Sequence, residues 1–417
     1  MMLDEMKEKY NQLLENISNS LDISPSKYKQ ALDRFDSVSR WFQNSQNQPL
    51  LFKLRIYMQG SFRLGTVVRP LKNQEESDYD IDLVCEVQSI KNSTTPYDLK
   101  MAIKDRLDES ETYSKLLDDE GKRCWTLNYA EQDGIGFHMD ILPATFEAES
   151  KKETIRSLGV PNEIANLAIA ITDKKNSEYN WLSSNPDGYA EWFSSVNRKA
   201  FEILAPVQRK TLLKENDLIF NSDSDIPNAL IKTPLQRAIQ ILKRHRDQRF
   251  AKSEFESDKP ISIIITTLSA LSYNGEMDTY AALKSIIDNL RFYSRLMSRS
   301  LNEEHYLDKK LIQKNPNGIW TILNPVNPEE NFADRWHEND DRKAKAFFQW
   351  ITWVGEDLLE ILNQSNNMQR LTESLNVSFG KHVVQKAISA DSNIILSSIP
   401  PKRVYTIENV SKPYKKC

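Results

Sequence analysis

In this chain of 417 residues, three aspartates have the spacing to do chemistry together: Asp80, Asp82 and Asp140. In a strand, residues two apart face the same side. Asp80 and Asp82 of Asp78-Tyr79-Asp80-Ile81-Asp82-Leu83-Val84 therefore project together, while Ile81 and Leu83 turn into the core. Two neighbouring carboxylates raise one another's pKa unless a cation lies between them, and an oxygen-only set suits Mg²⁺ or Mn²⁺. By itself such a pair is most often a solvated acidic strand edge. The third acid changes that balance. Phe137-His138-Met139-Asp140-Ile141-Leu142-Pro143 reads as a second strand, with Phe137, Met139 and Ile141 alternating against His138, Asp140 and Leu142. If the two strands lie side by side, Asp140 joins the pair. Three carboxylates can then hold two divalent ions about 4 Å apart, the clamp for in-line phosphoryl displacement. His138 faces the same side and is read as a polar contact rather than a catalytic group.

Such chemistry needs a place for phosphates. Gln59-Gly60-Ser61-Phe62-Arg63-Leu64-Gly65-Thr66 leads from a strand into a helix start, where outward N–H groups favour an anion. Gly60 allows close backbone approach and Ser61 adds a hydroxyl, although a Gly-Ser turn alone is usually an ordinary helix cap. Further on, Leu235, Ala238, Ile239 and Leu242 form a helical stripe. Lys243 lies at its edge and can present its ammonium to a cleft. The competing reading makes it one of the solvated basic residues in Lys243-Arg244-His245-Arg246. Ser262 follows Pro260 near the next helix start, as a phosphate contact or as a helix cap.

The elements that must position these residues follow from periodicity. Residues 2–20 read as an amphipathic helix with Leu3, Met6, Tyr10, Leu13, Leu14 and Ile17 on one stripe, and a second helix starts at Ser24-Pro25. Strands are expected at 54–58, 81–87, 123–130 and 136–142, with a helix at about 98–109 between the second and third. This is a mixed α+β core. Asn185-Pro186-Asp187-Gly188 reads as a turn followed by a helix over 189–204. Residues 215–232 read as a connection, with helices beyond it at 234–250, 261–273, 278–296, 341–363 and 379–390. The chain is therefore divided into a catalytic lobe with its N-terminal helices (1–215), a helical C-terminal lobe (216–400) and a mobile basic tail (401–417). Only 11 glycines, against a usual share of about 7%, agree with a helix-rich chain. A net charge of −4 argues against a dedicated duplex-DNA binder. The three cysteines, Cys85, Cys124 and Cys417, have no metal or disulfide spacing. The most apolar run, Ile261 to Tyr273, falls short of the roughly 20 residues of a membrane span, and the charged N-terminus has no signal-peptide core.

Read together, Gly-Ser, Asp-x-Asp on a strand and a later strand Asp resemble the nucleotidyltransferase superfamily of DNA polymerase β. "GSFRLGTVVRP", "YDIDLVCEV", "FHMDILPA", "TPLQRAIQILKRHRD" and "KPISIIITTLSA" are similar to the bacterial cGAS/DncV-like nucleotidyltransferases, or CD-NTases. Asn324-Pro325-Val326-Asn327-Pro328-Glu329-Glu330-Asn331 is similar to a segment of the oligoadenylate synthases. The resemblance runs from the N-terminal helices to about residue 390. It implies a bilobed, cytoplasmic bacterial enzyme of antiphage signalling, which joins ribonucleoside triphosphates (ATP, GTP or others) into a cyclic di- or trinucleotide that activates a separate effector. It assigns Gly60 and Ser61 to the phosphate turn, Asp80, Asp82 and Asp140 to two Mg²⁺ ions, and Lys243 and Ser262 to the triphosphate. The tail is a candidate site for a regulatory partner. The zinc-binding insertion of the animal DNA sensor has no counterpart, so no duplex DNA is expected. Ile263 stands where the animal enzyme has a base-stacking Tyr. The rival readings are a nucleotidyltransferase with a linear product or a macromolecular target, and an inactive nucleotide-binding scaffold.

Overall fold

The computed structural model describes residues 2–44, 49–51, 53–69, 71–72, 75–76, 78–132, 135–251, 253–297, 311–364 and 368–390. The tail expected at 401–417 lies outside the described residues.

A six-stranded mixed sheet forms the catalytic half. Its strands are β1 (Leu54–Met58), β2 (Tyr79–Ile90), β3 (Trp125–Gln132), β4 (Ile135–Phe146), β5 (Ile169–Lys175) and β6 (Glu178–Ser184). They run in the order β1-β2-β4-β5-β6, and β3 also pairs with β4. β2 and β4 are parallel, with Asp80 opposite His138 and Asp82 opposite Asp140. The other pairings within this sheet are antiparallel. Ile81, Leu83, Phe137, Met139 and Ile141 are buried beneath the strands, which leaves the acids on the opposite face, as the alternation requires.

The N-terminal helices are α1 (Met2–Leu21) and α2 (Pro25–Gln43). Ser24 caps α2 by accepting from the Lys27 N–H, with Pro25 in the first turn. The two helices join different cores. Tyr28, Ala31, Val38 and Phe42 of α2 pack with the sheet. Tyr10, Leu13, Leu14 and Ile17 of α1 pack into the helical core, where the Tyr10 hydroxyl donates to Leu358 O at 2.9 Å.

Between the phosphate turn and the second half lie α3 (Gly60–Leu64), α4 (Pro96–Asp108) and α5 (Pro186–Glu215). The second half is built on α6 (Pro234–Phe250), α7 (Ser262–Ser272), α8 (Thr279–Tyr293), α9 (Glu338–Gly355), α10 (Met368–Phe379) and α11 (Lys381–Ser389). The core here includes Leu235, Ala238, Ile239 and Leu242, the stripe expected for α6. Thr233 and Gln236 fix its start by a reciprocal capping box. Among the described residues, no helix is long and apolar enough to cross a membrane.

Four elements differ from the sequence reading. Asn185-Pro186 is not a free turn: Asn185 Oδ1 accepts from Gly188 N at 3.0 Å, and Pro186 opens a helix that continues through Pro206 to Glu215. The β5–β6 hairpin was not expected. The first five residues of β5 are all buried, so it shows no alternation, and its turn relies on Asn176 at φ 57°. Helix α10 was also unread. The helix expected over 341–363 passes instead through a π-helical turn at Glu356–Glu360.

Candidate active site

The site forms where β1 ends. Gln59 N donates to Asp82 O at 2.8 Å, drawing the phosphate turn against the acid strand. Gly60 then adopts φ +63°, and a Cβ there would run into the Asp82 carboxylate. Both the conformation and the close approach demand glycine. Gly65, at φ +64°, ends α3 in the left-handed region.

The parallel register brings Asp82 and Asp140 level on neighbouring strands. The Thr126 hydroxyl on β3 donates to Asp140 Oδ1 at 2.5 Å and orients it. His138 contacts two acids, with Nδ1 at 3.4 Å from Asp80 and Nε2 at 3.7 Å from Asp78. Asp78 also accepts from Gly136 N at 2.7 Å, which ties the starts of the two strands together. Asp82 is more buried than Asp80. Burial, then the negative charges of Asp140 and Asp80, push its carboxyl up to about 7.

Lys243 is 6% exposed, so it is no surface lysine. Its ammonium donates to Thr66 O at 3.1 Å and to Thr66 Oγ1 at 3.2 Å. Burial, then the neighbouring Arg246 guanidinium, pull it down to about 7. Ser262 is the first residue of α7, and the cap position belongs to Ile261. Its hydroxyl instead accepts from Arg246 Nη1 at 3.1 Å, and the same nitrogen donates to Pro260 O at 2.9 Å.

These residues meet in one cleft of about 480 Å³, lined by Gly60, Ser61, Asp80, Asp82, Asp140, Lys243 and Ser262. The sequence reading missed Thr66, Arg246, Asp247 and Lys259, which line the same cleft. The signal for Arg246 was its position, one helical step of three beyond Lys243. Lys259 approaches Asp247 at 3.8 Å across the cleft wall.

A ladder of hydrogen bonds holds the segment after the phosphate turn to α6. Lys232 Nζ donates to Gly65 O at 2.9 Å, and Gln236 Nε2 to Leu64 O at 2.8 Å. Gln240 Nε2 donates to Val67 O at 2.8 Å, and Arg244 Nη2 to Arg69 O at 3.1 Å. With Lys243 on Thr66, Lys232 just before α6 and four side chains on the helix hold the carbonyls of Leu64, Gly65, Thr66, Val67 and Arg69. Donors spaced three and four apart on a helix are neighbours, which is why a single face can do this.

Among the described residues, no three His, Cys, Asp or Glu side chains converge into a ready metal cage. The donor chemistry nevertheless fits a hard divalent cation. The set offers only carboxylate oxygens, and Asp82 carries the mutual repulsion that such a cation relieves.

Residues 54–143 match the family described as the nucleotidyltransferase domain of cyclic GMP-AMP synthase DncV-like proteins. The chain is 25% identical over 390 residues to a c-di-GMP synthase of Roseivirga ehrenbergii, covering 93% of this chain and 89% of that protein. It is 22% identical over 395 residues to the cyclic dinucleotide synthase CdnG of Bradyrhizobium diazoefficiens, covering 93% and 84%. The structure of the B. diazoefficiens CD-NTase CdnG in complex with GTP superposes with a TM-score of 0.63 at 19% identity, over 92% of this chain and 99% of that one. Escherichia coli MS115-1 CdnC with ATP gives 0.55 at 15% identity, over 89% and 97%. With the mixed sheet, its paired acids and the helical second half, these likenesses make residues 54–143 a DncV-like nucleotidyltransferase domain in a chain similar over 93% of its length to cyclic dinucleotide synthases.

Proposed function

We propose that this enzyme joins ribonucleoside triphosphates into a cyclic dinucleotide with release of pyrophosphate. The carrying observation is the single cleft that gathers the phosphate turn, three strand acids, Lys243 and Ser262 between the sheet and the helical half. The names of its relatives, a c-di-GMP synthase and a cyclic dinucleotide synthase, support the product class.

Asp80, Asp82 and Asp140 would hold two Mg²⁺ ions, with Mn²⁺ as an alternative. Such ions supply charge neutralisation on a triphosphate and a lowered pKa for an acceptor hydroxyl. The chain's own groups do the positioning. Ser61 and the backbone N–H groups of its turn donate to phosphate oxygens. Lys243 and Ser262 hold the far end of the triphosphate, with Arg246 fixing the Ser262 hydroxyl. The acceptor ribose oxygen attacks the α-phosphorus in line, the bond to the β-phosphate oxygen breaks, and pyrophosphate leaves. Catalysis is alignment together with preorganised charge.

In this reading the enzyme works in the bacterial cytoplasm in antiphage signalling. Its product activates a separate effector, and a regulatory partner engages the tail at 401–417. Incubating the full chain with Mg²⁺ and all four triphosphates tests the reaction. Pyrophosphate release with a nuclease-sensitive, phosphatase-resistant product is expected. Release of no pyrophosphate would leave the nucleotide-binding scaffold, and a phosphatase-sensitive ladder would make the product linear.

A further inference from the structure

Helix α3 carries the phosphate turn yet has only five residues, Gly60–Leu64. A helix that short is not stable by itself, so its orientation must come from its neighbours. On one side Lys232 and α6 hold the chain from Leu64 onward. On the other side lies a buried cluster of charges.

Asp187 is the centre of that cluster. It is 2% exposed and stands in the first turn of α5. Two guanidiniums reach it from different elements. Arg55 of β1 places Nη1 at 2.6 Å from Oδ2, and Arg63 of α3 places Nη1 at 2.5 Å from Oδ1. These are close ion pairs rather than aligned hydrogen bonds. Both guanidiniums also lie over the Tyr57 ring, at 4.3 Å for Arg55 and 5.8 Å for Arg63, and Arg55 pairs with Glu86 of β2 at 3.4 Å. Asp187 is itself on a fixed turn. Asn185, equally buried, accepts from Gly188 N at 3.0 Å and donates to Ile164 O at 2.9 Å.

The two arginines differ in what they hold. Strand β1 is already fixed by its pairing with β2, from Leu54 opposite Val87 to Met58 opposite Leu83, so it keeps its place without Arg55. Helix α3 has no such pairing, and Arg63 stands two residues after Ser61. Neither Asp187 nor Arg63 lines the catalytic cleft. We propose that Asp187 is a positioning residue for nucleotidyl transfer: through Arg63 it fixes the tilt of α3, and so the aim of the Ser61 hydroxyl and the N–H groups beside it. The proposal rests on reading Gly60 and Ser61 as the phosphate turn and adds the group that orients that turn.

The test compares Arg55→Ala, Arg63→Ala, Asp187→Asn and the double variant Arg63→Ala/Asp187→Asn on the full chain with Mg²⁺. Melting temperature, equilibrium triphosphate binding and pyrophosphate release are read separately. Arg55 neutralises two buried carboxylates and Arg63 one, so a purely structural network predicts that Arg55→Ala is the more damaging in every readout. Positioning reverses that order in activity. Arg63→Ala should lower kcat/KM at least about tenfold, the scale of a small misalignment. Arg55→Ala should lower the melting temperature at least as far, yet leave kcat/KM within about twofold. Asp187→Asn should match Arg63→Ala in kcat/KM, and the double variant should fall no further, because groups that act as a unit are not additive. Arg63→Lys keeps a charge on Asp187 and should recover most of the loss. Equal losses in Arg55→Ala and Arg63→Ala, in kcat/KM or in binding, overturn the proposal. So does a double variant whose losses multiply, since Arg63 would then act without Asp187. If Asp187→Asn fails to fold, the two arginine variants decide. Weaker triphosphate binding in Arg63→Ala alone, with no pyrophosphate released by the wild type, would support the positioned turn and defeat the transferase reading.

Discussion

At the scale of the residue, Asp82 and Lys243 are shifted in opposite directions by the same main cause, burial. The carboxyl of Asp82 is raised to about 7 by burial and by Asp140 and Asp80. Between about pH 4, its unfolded value, and about pH 7, the folded chain therefore keeps a proton that the unfolded chain gives up. The Asp82 contribution to stability therefore falls with rising pH across that window and is constant above it. Asp82→Asn removes this dependence, so in EDTA its melting temperature should exceed that of the wild type at pH 8 and converge with it near pH 4. The same variant should lose at least about a thousandfold in pyrophosphate release, the scale of several kcal/mol of metal-assisted charge stabilisation. Full activity would remove Asp82 from the metal set. Lys243 is lowered to about 7 mainly by burial, and an incoming triphosphate restores the partner its charge needs. Lys243→Ala should raise KM more than it lowers kcat, because a grip on the phosphate tail serves ground and transition states alike. An unchanged KM for every nucleotide would leave Lys243 only its contact with Thr66.

At the scale of the element, helix α6 sets where the phosphate turn sits. Lys232, just before the helix, and Gln236, Gln240, Lys243 and Arg244 on it bond five carbonyls between Leu64 and Arg69. That segment has no regular secondary structure over residues 66–69, so its backbone acceptors depend on these side chains. Gln236→Ala removes the donor to Leu64 O and also the acceptor for Thr233 N at 2.8 Å. Stranding buried polar groups costs about 1–3 kcal/mol, which should appear as a lower melting temperature. Because the turn itself loosens, KM for triphosphates should rise as well. A loss of stability with KM unchanged would show that the ladder braces the fold without positioning the site.

At the scale of the whole molecule, the first helix completes the core of the C-terminal helices. Tyr10, Leu13, Leu14 and Ile17 are wholly buried in a core that also contains Val383, Val384 and Ala387 of α11. Each such side chain contributes about 1.5–3 kcal/mol by burial, and four together rival the usual 5–15 kcal/mol of net stability. A chain beginning at Asp22 should therefore fail to fold cooperatively, seen as loss of a sharp thermal transition. The product also belongs to this scale. A growing strand needs an open basic track lined with stacking rings, whereas the chain carries a net charge of −4 and the acids lie in a cleft of about 480 Å³. A ring is the expected outcome, and mass spectrometry after phosphatase treatment should find it intact.

Local signals sufficed where an element announced its own partners. Leu54–Met58 and Pro234–Phe250 were readable to the residue, the first as a short apolar strand and the second through its stripe of Leu235, Ala238, Ile239 and Leu242. Asp80, Asp82 and Asp140 shared a face by alternation alone. What alternation could not supply was proximity: only the parallel pairing of β2 with β4 sets Asp82 level with Asp140. The β5–β6 hairpin escaped because a strand covered on both faces has no period to detect. Arg246 was illegible for a related reason. It is an ordinary polar residue in sequence, and it acquires a role by meeting Ser262 on the next helix. The sequence determined which faces each element offers, because side-chain direction is fixed by backbone period. The tertiary structure alone decided which faces meet, because that depends on burial shared between segments hundreds of residues apart, such as α1 and α11.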